Sequence, residues 1–200
     1  MSAAAMAMIG PMGRWEPNAR GRLERAALEL YAEHGFEQTT VAEIAGRAGL
    51  TERTFFRHFA DKREVLFAGS AVLRDHIVNA VAIAPASASP IEAIAAGLDA
   101  AAGVFPLERR EHARRRAAVI AANAELRERE LTKMASYSAA LVEALRKRGV
   151  GEPAASLAAE IGIAVFKIAF ALWLDESNDR GYRDLVRESF AELKTVAAAD

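Results

Sequence analysis

The sequence predicts an all-α protein: a three-helix unit containing a helix-turn-helix at the front, a larger helical body behind it, about nine helices in all. Two observations carry that expectation. Alanine-rich segments repeat their apolar residues at steps of three and four, and no stretch alternates with period two over β-branched residues. Cap-forming Ser, Thr and Asp residues and clusters of Gly and Pro mark where those segments start and stop.

Leu23, Ala27, Leu30 and Tyr31 make one face of a helix over 17–34, which Gly35 stops. Thr40, with Glu43 three residues on, forms a capping box for a short helix over 41–48 that Gly49 closes. Thr51 caps a second short helix to about Phe59, with Glu52 in the first turn where the helix dipole favours it. Asp61 and Glu64 open a longer helix through Val65, Leu66, Val72 and Leu73. The stretch 85–90 is a loop by composition. Beyond it come helices over 91–102, 109–124, 124 or 125 to 148, 153–175 and about 182–197, separated by breaks at Phe105-Pro106, 149–153 and 177–181. The expected organisation is a flexible arm over 1–16, a front unit over 17–77 with its helix-turn-helix at about 40–59, and a body over 78–200.

Composition narrows the function. The chain has 200 residues and no cysteine, which excludes a disulfide scaffold, a thiolate zinc site and a cysteine nucleophile. Its four histidines are scattered, with no glycine-rich phosphate loop and no nucleophile elbow, so no enzyme is expected and no cofactor or metal. The longest apolar stretch, 161–174, is 14 residues and holds Lys167, which suits a buried helix rather than a membrane span. Residues 1–13 lack the basic start and continuous apolar run of a signal peptide, and the expected location is cytoplasmic. Net charge is −1, but it is unevenly spread: neutral over 1–64, +5 over 105–148, −6 over the rest. A neutral front can still bind phosphates if its cations share one face.

Two short helices cross steeply through a three-residue turn only if the crossing point is small and the turn admits positive φ. Ala45 meets the first requirement and Gly49 the second. Ile44, Ala48, Leu50, Phe55 and Phe59 then hold the second helix on the first. Arg53, Thr54, Arg57 and His58 remain outward, residue types suited to base edges and phosphates in a major groove. A helical hairpin with solvated arginines would show the same local pattern.

The wider run is more specific. Arg20-Gly-Arg-Leu-Glu-Arg-Ala-Ala-Leu-Glu-Leu-Tyr-Ala-Glu-His-Gly-Phe36, Thr39-Thr40-Val41 and Ala48-Gly-Leu-Thr-Glu-Arg-Thr-Phe-Phe-Arg-His-Phe-Ala-Asp-Lys62, followed by Val65-Leu66, closely resemble the DNA-binding domain of TetR-family transcriptional regulators. The resemblance spans about residues 17–70, and beyond it only the helix plan and length are similar. It implies a sequence-specific regulator, a ligand-responsive repressor on a palindromic operator. By position it implies a phosphate clamp at Thr40, base contacts from Thr51, Arg53 and Thr54, and backbone contacts from His58 and Lys62. The methyl of Thr54 or the edge of Phe55 would meet a thymine methyl, Arg57 would complete the outward face, and Arg14, Arg20 and Arg22 would reach phosphates or the minor groove. Phe56 stands where the family usually has tyrosine, and Val41 where some members place a base-reading arginine. The alternative is a helical partner-binding protein of this fold that has lost specific DNA binding.

The resemblance also implies a two-fold homodimer and a small-molecule effector. The expected dimer interface is Ile161, Val165, Ile168 and Leu172, in a stripe begun by Leu157, with Leu185, Val186, Phe190 and Leu193 of the last helix. The expected effector lining is Phe105, His112, Arg116, Tyr137, Phe166, Phe170 and Trp173, with Val119 and Ile120. If the arginines at 109, 110 and 114–116 rimmed such a cavity, an acyl-coenzyme A would fit, chain inside and phosphates outside.

Overall fold

The computed structural model describes residues 18–198. Among them every regular element is helical: α1 Ala19–His34, α2 Val41–Arg47, α3 Glu52–His58, α4 Ser70–Ile83, α5 Pro90–Ala101, α6 Arg110–Ala122, α7 Ala124–Lys147, α8 Ala154–Leu174 and α9 Tyr182–Ala198. Short 3₁₀ turns occupy Glu64–Phe67, Ala102–Val104 and Leu107–Arg109.

The expected starts are made by the expected atoms. Thr40 Oγ1 accepts from the Glu43 N–H at 3.2 Å while the Glu43 carboxylate accepts from the Thr40 N–H at 2.8 Å. Thr51 Oγ1 accepts from the Thr54 N–H at 3.2 Å, and Ser89 with Glu92 repeats the capping box at α5. Each such cap supplies an acceptor for one of the N–H donors that a helix start leaves unpaired, worth about 1 kcal/mol. One expected helix is broken. Asp61 does cap, accepting from the N–H groups of Arg63 and Glu64 at 2.8 and 3.1 Å, but what it opens is a single 3₁₀ turn. Val65, Leu66 and Phe67 all turn inward there, more apolar side chains in a row than one face of an α-helix can point the same way.

Two apolar cores result. The smaller gathers Leu23, Ala27, Leu30 and Tyr31 of α1, Ile44 and Ala48 of α2, Phe55 and Phe59, and the 3₁₀ residues Val65–Phe67. Ile120 and Leu126, from either side of the α6–α7 elbow, complete it. The larger takes residues of α4, α5, α7, α8 and α9. Its members include Ile77, so α4 packs with the body, although a boundary at 77/78 would leave its first half with the front unit. α8 lies so close to α5 that a Cβ on Gly162 would stand 2.5 Å from Ile94 Cγ2. At 21 residues α8 also matches a membrane span in length and composition, as does Glu64–Ile83, which the fourteen-residue count did not anticipate.

Polar ties join front and body. Arg63 pairs with Glu125 at 2.7 Å, and Glu64 with Arg129 at 2.6 Å and Lys133 at 3.1 Å. Asn123 donates to Glu37 at 2.8 Å, and the Tyr137 hydroxyl donates to the Ser70 carbonyl. Burial pushes the Tyr137 phenol up to about 12, and it moves Tyr31 and Tyr182 upward as well.

Candidate nucleic-acid interface

α3 is mounted by its two ring anchors. Phe55 is fully buried and Phe59 nearly so, their centroids 5.6 Å apart, and they fix the helix against α1 and α2. The turn before it needs Gly49, at φ 64, and the Leu50 N–H closes it on the Ala45 carbonyl at 2.8 Å. Phe55 therefore belongs to the core and not to the contact set, because a side chain with no exposed surface cannot touch a base edge.

The opposite face of α3 presents Arg53 and Arg57, both exposed. Neither makes a hydrogen bond or an ion pair with another described residue. Phe56 is also exposed, at 56%, held edge-on to Phe55 at 5.4 Å, so it does not pack inward. Its ring is an apolar group beside two cations on the reading face, and only its helical spacing from Phe55 could have indicated this. Thr54 is half-buried and shares a hydrogen bond with the Thr51 hydroxyl at 3.1 Å. At α2, the exposed Thr40 hydroxyl donates to its own Glu43 carboxylate at 2.8 Å. Those hydrogen bonds hold Glu43 below the usual carboxylate range, so a negative charge already occupies the start of α2 where a phosphate was expected.

Four other expected contacts have different work. Lys62 donates to the carbonyls of Phe36, Glu37 and Thr39 at 2.9, 3.2 and 3.0 Å, and lies 4.4 Å from the Phe36 ring centre. An ammonium has three N–H groups, and all are spent stapling the α1–α2 connection, so a role as a backbone contact is corrected to a structural one. Arg20 pairs with Glu24 at 3.1 Å, donates to the Ala68 carbonyl and sits 5.4 Å from the Phe59 ring. Arg22 donates to the Ala48 carbonyl beside the turn. His58 is half-buried with Nε2 shielded and unpaired, so that nitrogen cannot meet a phosphate. Arg14 lies outside the described residues.

The arginine run of α6 is likewise committed. Arg110 donates to the carbonyls of Asn178 and Arg180, and Arg114 to those of Leu174 and Asp175 at 2.5 and 2.7 Å. Arg115 pairs with Glu111 at 2.9 Å, and Arg116 donates to the Leu66 carbonyl at 2.5 Å over the Phe67 ring. Helix ends collect cations because their last carbonyls lack partners. These side chains clamp the α8–α9 connection and the front unit, which removes the cationic rim on which an acyl-coenzyme A was expected.

The expected effector lining does not enclose a cavity. His112 is exposed, and Val119 and Ile120 belong to the smaller core. Phe105, Phe166, Phe170 and Trp173 pack on one another, with Tyr182 4.6 Å from Phe105, as a filled aromatic cluster. Tyr137 and Phe166 do border a void with Arg74, Ile77, Val78 and Leu98, but its volume is about 10 Å³, at most one water. Two buried polar atoms of the cluster, Trp173 Nε1 and Tyr182 Oη, have no partner among the described residues, nor does Arg110 Nε. Each such atom costs about 1–3 kcal/mol relative to a satisfied one.

At the expected dimer surface, Leu157, Ile168 and Leu172 are exposed at 60%, 54% and 42%, with Ile161 half-buried between them. Val165, Leu185, Val186 and Phe190 are corrected: they are buried in this protomer's own core, and Leu193 packs partly against it.

A short helix displaying cations from a helix-turn-helix, carried on an all-helical body, is the arrangement of a nucleic-acid-reading head. Residues 24–68 match the family described as bacterial regulatory proteins, tetR family. The match lies within the front unit, which carries a DNA-binding domain of the TetR type. Over 84 residues it is 38% identical to the HTH-type transcriptional regulator TcmR of Streptomyces glaucescens, covering 42% of this chain and 37% of that protein. Over 62 residues it is 37% identical to the HTH-type transcriptional activator FasR of Mycolicibacterium smegmatis, covering 31% and 27%. The chain thus matches well under half the length of these curated relatives. A solved structure of a transcriptional regulator candidate from Pseudomonas aeruginosa PAO1 shares the fold at TM-score 0.61 and 21% identity, over 93% of this chain and 94% of that one.

Proposed function

We propose that the protein is a cytoplasmic, ligand-responsive transcriptional repressor that reads a pseudo-palindromic operator as a two-fold dimer. The observation that carries the reading is the state of Arg53 and Arg57: exposed, with no partner among the described residues, on the face of α3 opposite its buried rings. Guanidinium forks pair bidentately with guanine in a major groove, and an unpaired one gives up no intramolecular ion pair on binding. Phe56 and the Thr54 methyl supply apolar contacts beside them. One head makes few contacts, so specificity calls for two, and the stripe Leu157–Ile161–Ile168–Leu172 is the face of α8 that a symmetry mate would cover. Bound across a promoter, such a dimer blocks polymerase by occupancy alone. The α6–α7 elbow, which places Ile120 and Leu126 in the head's core, couples the head to whatever the body binds.

Selection from a random duplex library at two salt concentrations tests this. The expected product is a palindrome of roughly 15–25 base pairs, bound by a dimer with affinity falling as salt rises. A protein that selects no sequence at low salt is instead a helical partner-binding protein of the same fold.

A further inference from the structure

The aromatic cluster at the α5–α6 break is built differently from the rest of the body core. Phe105 sits between two 3₁₀ turns at φ −114, ψ 57, outside any helix, with the exposed Gly103 before it and Pro106 after it. Its ring is only partly buried, yet it occupies the centre of a box whose other walls are Phe166, Phe170, Trp173 and Tyr182, at centroid distances of 6.2, 5.5, 5.6 and 4.6 Å. Trp173 is fully buried and Tyr182 is 1% exposed. Among the described residues the indole N–H and the phenol O–H are both without a partner, and so is the Nε–H of Arg110, whose guanidinium lies 5.5 Å from the centre of the Trp173 ring. An indole nitrogen and a guanidinium nitrogen can only donate. Each of these three donors at the box therefore lacks an acceptor among the described residues, and beside a guanidinium an anionic one is favoured.

We propose that Phe105 is a removable plug and that the box takes a small aromatic carboxylate. The ligand ring replaces the Phe105 ring, and its carboxylate oxygens accept from Trp173, Tyr182 and Arg110. Withdrawing Phe105 unwinds no α-helix, because the residue lies in the non-helical break. α6 starts at Arg110, and further along it Arg116 holds the Leu66 carbonyl, so occupancy at one end is felt at the head. That regulatory consequence rests on the reading above; the pocket itself does not.

The test uses the full-length chain carrying Trp15→Phe, which leaves Trp173 as the remaining tryptophan. Titration with cinnamate is expected to change Trp173 emission saturably. Phe105→Ala should tighten cinnamate about tenfold, since the closed state no longer competes. Tyr182→Phe should weaken cinnamate about fivefold while leaving its acceptor-free counterpart β-methylstyrene within about twofold. Phe105→Leu, a smaller change, serves if the alanine variant fails to fold. No saturable response in either the parent or the plug variants overturns the pocket, as does equal affinity for cinnamate and β-methylstyrene. Operator affinity is measured separately. Cinnamate bound as expected with operator affinity unchanged supports the pocket and overturns ligand control; cinnamate bound as expected with no operator selected supports the pocket and overturns DNA reading.

Discussion

α3 and α6 each carry clustered arginines, and in sequence α6 is the more conspicuous, with four between 110 and 116. Their fates are opposite. Arg110, Arg114, Arg115 and Arg116 are engaged by carbonyls or carboxylates of the same chain, whereas Arg53 and Arg57 reach out with no described partner. Charge density is therefore a poor guide to a nucleic-acid surface, and the pairing state of each cation is the better one. A guanidinium already donating to backbone carbonyls must break those bonds before it can meet a phosphate, while a free one loses only water.

Four substitutions or titrations break or sharpen that contrast. The largest effect belongs to the free pair. Arg53→Ala with Arg57→Ala should cost about 3 kcal/mol of operator binding, roughly a hundredfold, and leave thermal stability unchanged. Fluorescence anisotropy on the selected duplex, alongside a melting curve, reads both. A double variant that binds as well as the parent would remove α3 from the groove.

Lys62 is the intermediate case, a front-unit cation that behaves like those of α6. Lys62→Ala leaves three carbonyls unmet at the α1–α2 connection and should destabilise the protein by about 2–3 kcal/mol. The salt slope of operator binding, measured below the melting transition, should stay as in the parent, because no phosphate contact is lost. A shallower slope with unchanged stability would return Lys62 to the phosphate backbone.

Much of this was legible in the sequence, and the part that was not follows a rule. Caps are local, so Thr40 with Glu43, Thr51 and Gly49 were readable directly, and with them the helix-turn-helix. The 3₁₀ turn at Glu64–Phe67 was not, because what breaks the helix is the demand of a core assembled from distant segments, including Ile120 and Leu126. Which side of an amphipathic helix faces the protomer and which a neighbour was also hidden. α8 and α9 are apolar on more than one side, and only packing assigns Val165 inward and Ile168 outward. For the same reason the packing of the effector lining was hidden: aromatic spacing shows that rings converge, not whether they leave a space between them.

Burial without charge pairing offers a third way to probe the front–body joint. Tyr137 keeps its proton to about pH 12 in the folded protein, while an unfolded tyrosine releases it near 10. The folded state therefore holds the proton more tightly, and stability is full below pH 10 and falls as pH rises toward 12. The loss from this residue is about 2–3 kcal/mol, and Tyr31 and Tyr182 shift in the same direction. Phenolate absorbance should rise together with loss of helix in a single alkaline transition. Absorbance rising near pH 10 with helix content intact would show the phenols exposed.

The smallest effect tests the engaged side of the contrast. Arg114 donates to the carbonyls of Leu174 and Asp175, where α8 ends and its dipole is negative. Arg114→Ala should cost about 1–2 kcal/mol of stability, part of it from the lost packing of its aliphatic stem. Operator affinity and its salt slope should not move, in direct opposition to the Arg53 and Arg57 variant. Arg114→Lys should recover less than half of the loss, because a single ammonium cannot reproduce a fork spanning two carbonyls. If Arg114→Ala instead weakened operator binding with stability intact, the α6 run would be part of the nucleic-acid footprint, and pairing within the chain would no longer separate structural cations from reading ones.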